Sequence, residues 1–225
     1  MYVASLVTNI GKYHWKIPAK WMYYHLLDAD WGSNALSWQW VCGSNSNKKY
    51  YANQENINRF TNSNQRNTIL DKSYDELLNY KCEGIFEEKS VLNLKVNYPK
   101  SDAFTNQNEK PICIYNFYNL DTKWRQEMDA NRILLIEPSI FNKYPISDNS
   151  MKFMLDLSKN IKDIIILVGE FSDLPIKSSD VYYKEHPLNF NYTGTKDDRD
   201  WILKPENSFS SFFKHWNFVL KQLAY

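Results

Sequence analysis

From residue 132 to 169 the chain switches between two periodicities. Residues 132–137 (RILLIE) and 163–169 (DIIILVG) are short apolar runs of the kind that form strands buried on both faces. Between them, residues 150–161 space Met151, Met154, Leu155 and Leu157 along an amphipathic helix. Strand, helix and strand in that order supply the crossover that a parallel pair requires, so the pattern predicts a βαβ unit. Residues 111–117 (PICIYNF) and 181–184 predict further strands of the same region, and residues 210–223 predict a closing aromatic helix. Neither G-x-G-x-x-G nor G-x-x-x-x-G-K-[ST] follows any of these strands, so nucleotide binding there has no support from a motif.

The N-terminal third follows the helical period. Residues 2–10 predict a short apolar helix that stops near Gly11, and Pro18 suits the first turn of a second helix that runs through residues 21–27. Asp28 or Asp30 caps a third helix, in which Trp31, Asn34, Ala35 and Trp38 recur at i, i+3, i+4 and i+7 and share a face. Residues 43–65 are polar and rich in Asn and Ser, which predicts loop; residues 73–80 predict a short helix and 87–107 have little pattern. The expected fold class is mixed α and β. An all-α segment over residues 1–69 leads through a loop-rich linker or extension over 70–109 into a small βαβ-like α/β region over 110–225.

Charge narrows the function little. Lys and Arg number 27 against 26 Asp and Glu, so no global field favours nucleic acid or an acidic membrane. Three cysteines, Cys42, Cys82 and Cys113, are too few and too widely spaced for a disulfide framework or a zinc site, and no signal-peptide pattern or membrane-length apolar run is present. These features predict a cytoplasmic protein with no membrane partner. The unusual feature is aromatic: five of the eight Trp fall within the first forty residues, as Trp15, Trp21, Trp31, Trp38 and Trp40. In the C-terminal half, Glu185-His186-Pro187 and the 197–200 run Asp-Asp-Arg-Asp carry groups capable of acid–base work or metal ligation, although such clusters are more often a solvated loop and a charged turn.

Residues 28–40 read DADWGSNALSWQW. Two carboxylates stand at a helix entrance, and an amide lies four residues before an indole on one helical face. Two readings fit: a polar and aromatic site, or a capped helix with Trp31 and Trp38 in its core. The stretch resembles the D-x-D-x-x-x-N-x-x-x-W-Q-W segment of the photolyase/cryptochrome family. MYVAS at the start and WMYYHLLDAD before the motif resemble the same family without gaps, so the similarity covers roughly residues 1–60. It implies the C-terminal part of a helical FAD-binding domain. Carried over residue by residue, the resemblance implies that Asp28 and Asp30 face the flavin, with Asp30 on its N3/O2 edge, and that Asn34 sits beside N5. It implies Trp38 as the indole nearest the ring, Trp15 as the next electron donor, and Trp40 as a wall of the pocket for a flipped-out lesion.

The resemblance begins abruptly inside that domain. The family's diphosphate-holding serine/threonine and glycine loops, its helix with the catalytic Glu and Asn-Arg pair, and the outermost Trp of its electron chain have no counterpart in the chain. KKYYANQENINRF also departs from the PYFRIFNP of many photolyases. The implied activity is blue-light-driven electron transfer, in DNA repair by a deoxyribodipyrimidine photolyase-type lyase or in photoreception. The implied partners are damaged DNA and a separately encoded N-terminal half. The alternatives are an interaction protein that keeps the helices without flavin, or a gene remnant.

Overall fold

The computed structural model describes residues 1–82, 86, 88, 90–106, 109–177, 180–201, 203 and 208–223. It divides into two units: Met1–Pro99 with Pro138–Leu157, and Lys100–Glu137 with Ser158–Tyr225.

The first unit is helical. Helix α1 (Tyr2–Ser5) runs on as a π turn over Leu6–Ile10 and stops at Gly11. A Cβ at Gly11 would stand 2.8 Å from the Val7 carbonyl oxygen and 2.9 Å from the Phe86 ring, so the stop needs a residue without a side chain. The buried Asn9 fixes the turn from inside, its Nδ2 donating to the carbonyls of Val41 (3.0 Å) and Tyr50 (2.7 Å). Helix α2 (Lys16–His25) has Pro18 in its first turn, where a missing N–H costs nothing. Helix α3 (Trp31–Cys42) is capped by Asp30, whose Oδ1 accepts from the Ser33 N–H at 2.6 Å, and ends at Gly43 in the left-handed region (φ 72°).

Within the stretch expected to be loop lies a further helix, α4 (Gln54–Thr61). Its ends explain it. The Asn53 side chain accepts from the Asn56 N–H, and Asn62 closes the helix with φ 52°. Helix α5 (Tyr74–Asn79) carries a full capping box between Ser73 and Glu76. Among the described residues, Ala4, Ala19, Trp38 and Val41 pack into one small core, and Ile10, Leu70 and Leu77 into another. Helix α6 (Pro138–Lys143) and most of α7 (Asp148–Ser158) complete the unit. Ser147 donates its N–H to the Tyr24 carbonyl (2.8 Å) and the Ser150 hydroxyl donates to that of Leu26 (3.2 Å), satisfying orphan acceptors at the end of α2.

The second unit is built on a five-stranded, all-parallel sheet in the order β3-β2-β1-β4-β5. The strands are β1 (Ile112–Tyr115), β2 (Asn131–Ile136), β3 (Ile164–Val168), β4 (Val181–Lys184) and β5 (Thr195–Asp197). The four apolar runs therefore form strands as their composition predicts, and the polar β5 (TKD) has no such signal. Ile112, Ile114, Ile133, Leu135 and Val181 build the core together with Phe171 and Tyr192. Ser101 and Asp102 hydrogen-bond along the outer edge of β3, to Val168 and Ile166, which closes an edge otherwise open to another strand. Helix α8 (Phe212–Gln222) is capped by Ser211 and buries none of its residues.

Candidate functional site

A cavity of about 250 Å³ opens in the helical unit at the entrance of α3. Asp28, Asp30, Asn34 and Trp38 all line it, with Met1, Ala4, Met22 and Leu26 as apolar walls. The helical period explains the gathering: Asn34 and Trp38 are one turn apart on α3, and the cap geometry turns Asp30 back toward the first turn. Trp38 is 2% exposed and is shared between the cavity wall and the core. The Asn34 amide is oriented by donating to the Ala19 carbonyl at 2.8 Å, which leaves its oxygen and one N–H for the cavity. Asp28 is exposed and has no hydrogen bond or ion pair among the described residues, and Asp30 uses one oxygen for its cap. The site thus offers acceptors on one side, an adaptable amide, and an indole in an apolar wall.

Trp15 stands at the start of α2, packs against the Trp38 cluster and stacks with His14 at 5.9 Å. Trp40 is 48% exposed, tilts against Tyr50 at 5.5 Å and, like Trp15, does not line the cavity. Ser33 and Ser37 do line it. Sequence reasoning passed over both, although their spacing from Asp30, Asn34 and Trp38 puts them on the same face.

The acid–base groups of the second unit serve its own architecture. Arg125 holds Asp197 through Nε (2.6 Å) and Nη2 (2.8 Å), Trp124 donates its indole N–H to the same carboxylate, and these bonds pull the Asp197 carboxyl below its ordinary range. Lys184 pairs with Asp200 at 3.0 Å. His186 stacks on Tyr118 at 4.3 Å and accepts the Leu188 N–H. Glu137 is pushed up by burial, against hydrogen bonds from Tyr192 and the Phe171 N–H. Among the described residues no three His, Cys, Asp or Glu gather to hold a metal, and no helix is long and apolar enough to cross a membrane.

The helical unit thus gathers an indole, two carboxylates and an amide at one cavity, and the chain continues into a parallel α/β unit. Residues 1–101 match the family model described as the FAD binding domain of DNA photolyase. The match covers less than half of the 225 residues. No curated protein and no solved structure matches the chain.

The donor set fits the ring end of a flavin. Free carboxylate oxygens suit ring N–H donors, and Met22, Leu26 and Trp38 suit its apolar faces. The volume is below the roughly 300 Å³ at which pockets for drug-sized ligands begin, so it takes a ring system and not a whole dinucleotide.

Proposed function

We propose that the helical unit binds FAD through its ring end and serves light-driven electron transfer, in DNA repair or in photoreception. The observation that carries this reading is the convergence of Asp28, Asp30, Asn34 and Trp38 on one cavity inside the stretch matched to the FAD binding domain. When bound, the flavin supplies one-electron chemistry driven by blue light. Asp28 and Asp30 would hold the polar edge of the ring, and Asn34 would exchange hydrogen bonds beside N5 without titrating. Trp38 would be the first electron donor, with Trp15, packed against the same cluster, the next. Trp40, exposed beside Tyr50, would meet an extruded base or other flat ligand arriving from solvent.

The cavity holds less than FAD, and we assign the diphosphate and adenosine to a surface outside it, such as that of a separately encoded N-terminal half. Damaged DNA is the proposed substrate of that assembly. Three cysteines without a disulfide support a cytoplasmic setting.

The test is to mix the purified chain with FAD, desalt it, and record the flavin absorbance and fluorescence that remain. Retained, structured flavin bands are expected, with a partner half raising the occupancy. Replacing Trp38 with Phe is expected to keep the bands while slowing flavin photoreduction by about tenfold or more, since each 1.4 kcal/mol of added barrier is tenfold. A chain that retains no flavin either alone or with the partner half would overturn the proposal.

A further inference from the structure

A second cavity of the helical unit, about 260 Å³, shares no lining residue with the first and is lined by Lys20, Tyr23, Trp31, Lys143, Tyr144 and Pro145. Three aromatic rings form its body. Tyr23 and Trp31 meet edge to face at 5.5 Å, and Tyr144 approaches Trp31 at 6.1 Å and Tyr23 at 6.4 Å. Each comes from a different element: Tyr23 from α2, Trp31 from the first position of α3, and Tyr144 from the turn after α6. Tyr23 is almost wholly buried and braces the other two, which remain half-exposed and present ring surface to the cavity.

The charge of the lining is one-sided. Lys20 lies three residues before Tyr23 on the same face of α2, and Lys143 ends α6 with its ammonium 5.3 Å from the Tyr144 ring. No carboxylate lines the cavity, and neither ammonium makes an ion pair or hydrogen bond among the described residues. The nearest acid in sequence, Asp30, is turned toward the Ser33 N–H. Aromatic surface flanked by free cations is the arrangement that receives a planar ring carrying negative charge: the ring stacks, and the ammoniums take the anion.

From this we infer that the cavity binds a nucleotide, with the base against Trp31 and Tyr144 and the phosphate between Lys20 and Lys143. The volume admits one base with its phosphate and excludes a dinucleotide, so the ligand is a single nucleotide unit, either free or as one residue of a single strand. Half of the lining, Lys143 to Pro145, lies outside the 1–101 match, so the site is a feature of this chain's own arrangement.

The whole chain is titrated by fluorescence and calorimetry with thymidine monophosphate, thymidine, inorganic phosphate and a short oligothymidylate. Saturable binding of the monophosphate, weaker with thymidine and with phosphate alone and weakened by salt, is expected. Lys20→Gln and Lys143→Gln are expected to weaken it about tenfold each, the size of a lost charge-assisted contact, with unchanged thermal unfolding. Tyr144→Leu serves as the second variant, removing stacking while keeping both charges. Tighter binding of the oligomer than of the monophosphate assigns the site to single strands, and the reverse assigns it to free nucleotide. Absence of saturable binding to either, or binding that is insensitive to both lysine variants but lost on Asp30→Ala, would overturn the inference; the latter would move the nucleotide to the flavin cavity.

Discussion

Asp30 holds two positions at once. One oxygen caps α3 through the Ser33 N–H, and the residue also lines the cavity beside Asn34. The two duties separate by substitution. Asn caps a helix as well as Asp does, whereas Ala does not, and losing the cap costs about 0.5–2 kcal/mol. Asp30→Asn is therefore expected to leave chemical denaturation nearly unchanged while reducing flavin retention after desalting, because an amide cannot supply the anionic acceptor. Asp30→Ala is expected to lower both. Equal flavin retention in the Asn variant and the parent chain would show that the carboxylate has no part in holding the ring. Asn34 and Trp38 were legible because a helix fixes what its i and i+4 positions share, whereas Asp28, in the turn before α3, was read from the family motif alone. Trp40 was not legible: its neighbour Tyr50 lies beyond the helix end, and only the turn at Gly43 brings the two rings together.

At the scale of elements, strong apolar runs announced themselves and polar ones did not. β1 to β4 coincide with their runs to within one or two residues; β1 and β2, buried on both faces, tolerate little but apolar residues, and β3 and β4, partly exposed, keep Ile, Leu, Val and Tyr. Helix α4 hides inside an Asn-rich stretch, with Ile57 the apolar residue it lends to the core, so composition speaks for loop and the caps decide otherwise. Asn53→Ala is expected to cost about 1 kcal/mol in urea denaturation. Asn53→Asp keeps the cap and is expected to cost less than Asn53→Ala, the remainder being the desolvation of a carboxylate at a buried position. If both variants denature like the parent chain, α4 is held by packing alone.

The arrangement of the whole molecule is where sequence reasoning reached least far. A linear reading ends the helical segment near residue 69, yet Leu70 and Leu77 are core residues of the first unit, and residues 138–157 return to it after two strands of the second have formed. Nothing local signals that return: Ser147 and Ser150 look like ordinary helix-start residues until their bonds to Tyr24 and Leu26 are seen. The consequence is a helical unit that cannot be excised as a continuous N-terminal piece. A fragment ending at Asn106 loses α6 and α7, leaves the carbonyls of Tyr24 and Leu26 without their serine donors, and bares Tyr23 and Trp31 where Tyr144 packed. Each lost hydrogen bond costs about 0.5–1.5 kcal/mol, and baring the buried Tyr23 adds to it, together a large part of the roughly 5–15 kcal/mol stability of a domain. The fragment is expected to keep helical far-ultraviolet dichroism but to melt without a cooperative transition, and Ser150→Ala in the full chain is expected to lower stability by about 1 kcal/mol in urea denaturation. A fragment that melts as sharply and at the same temperature as the full chain would mean that residues 138–157 rest on the helical unit without holding it together.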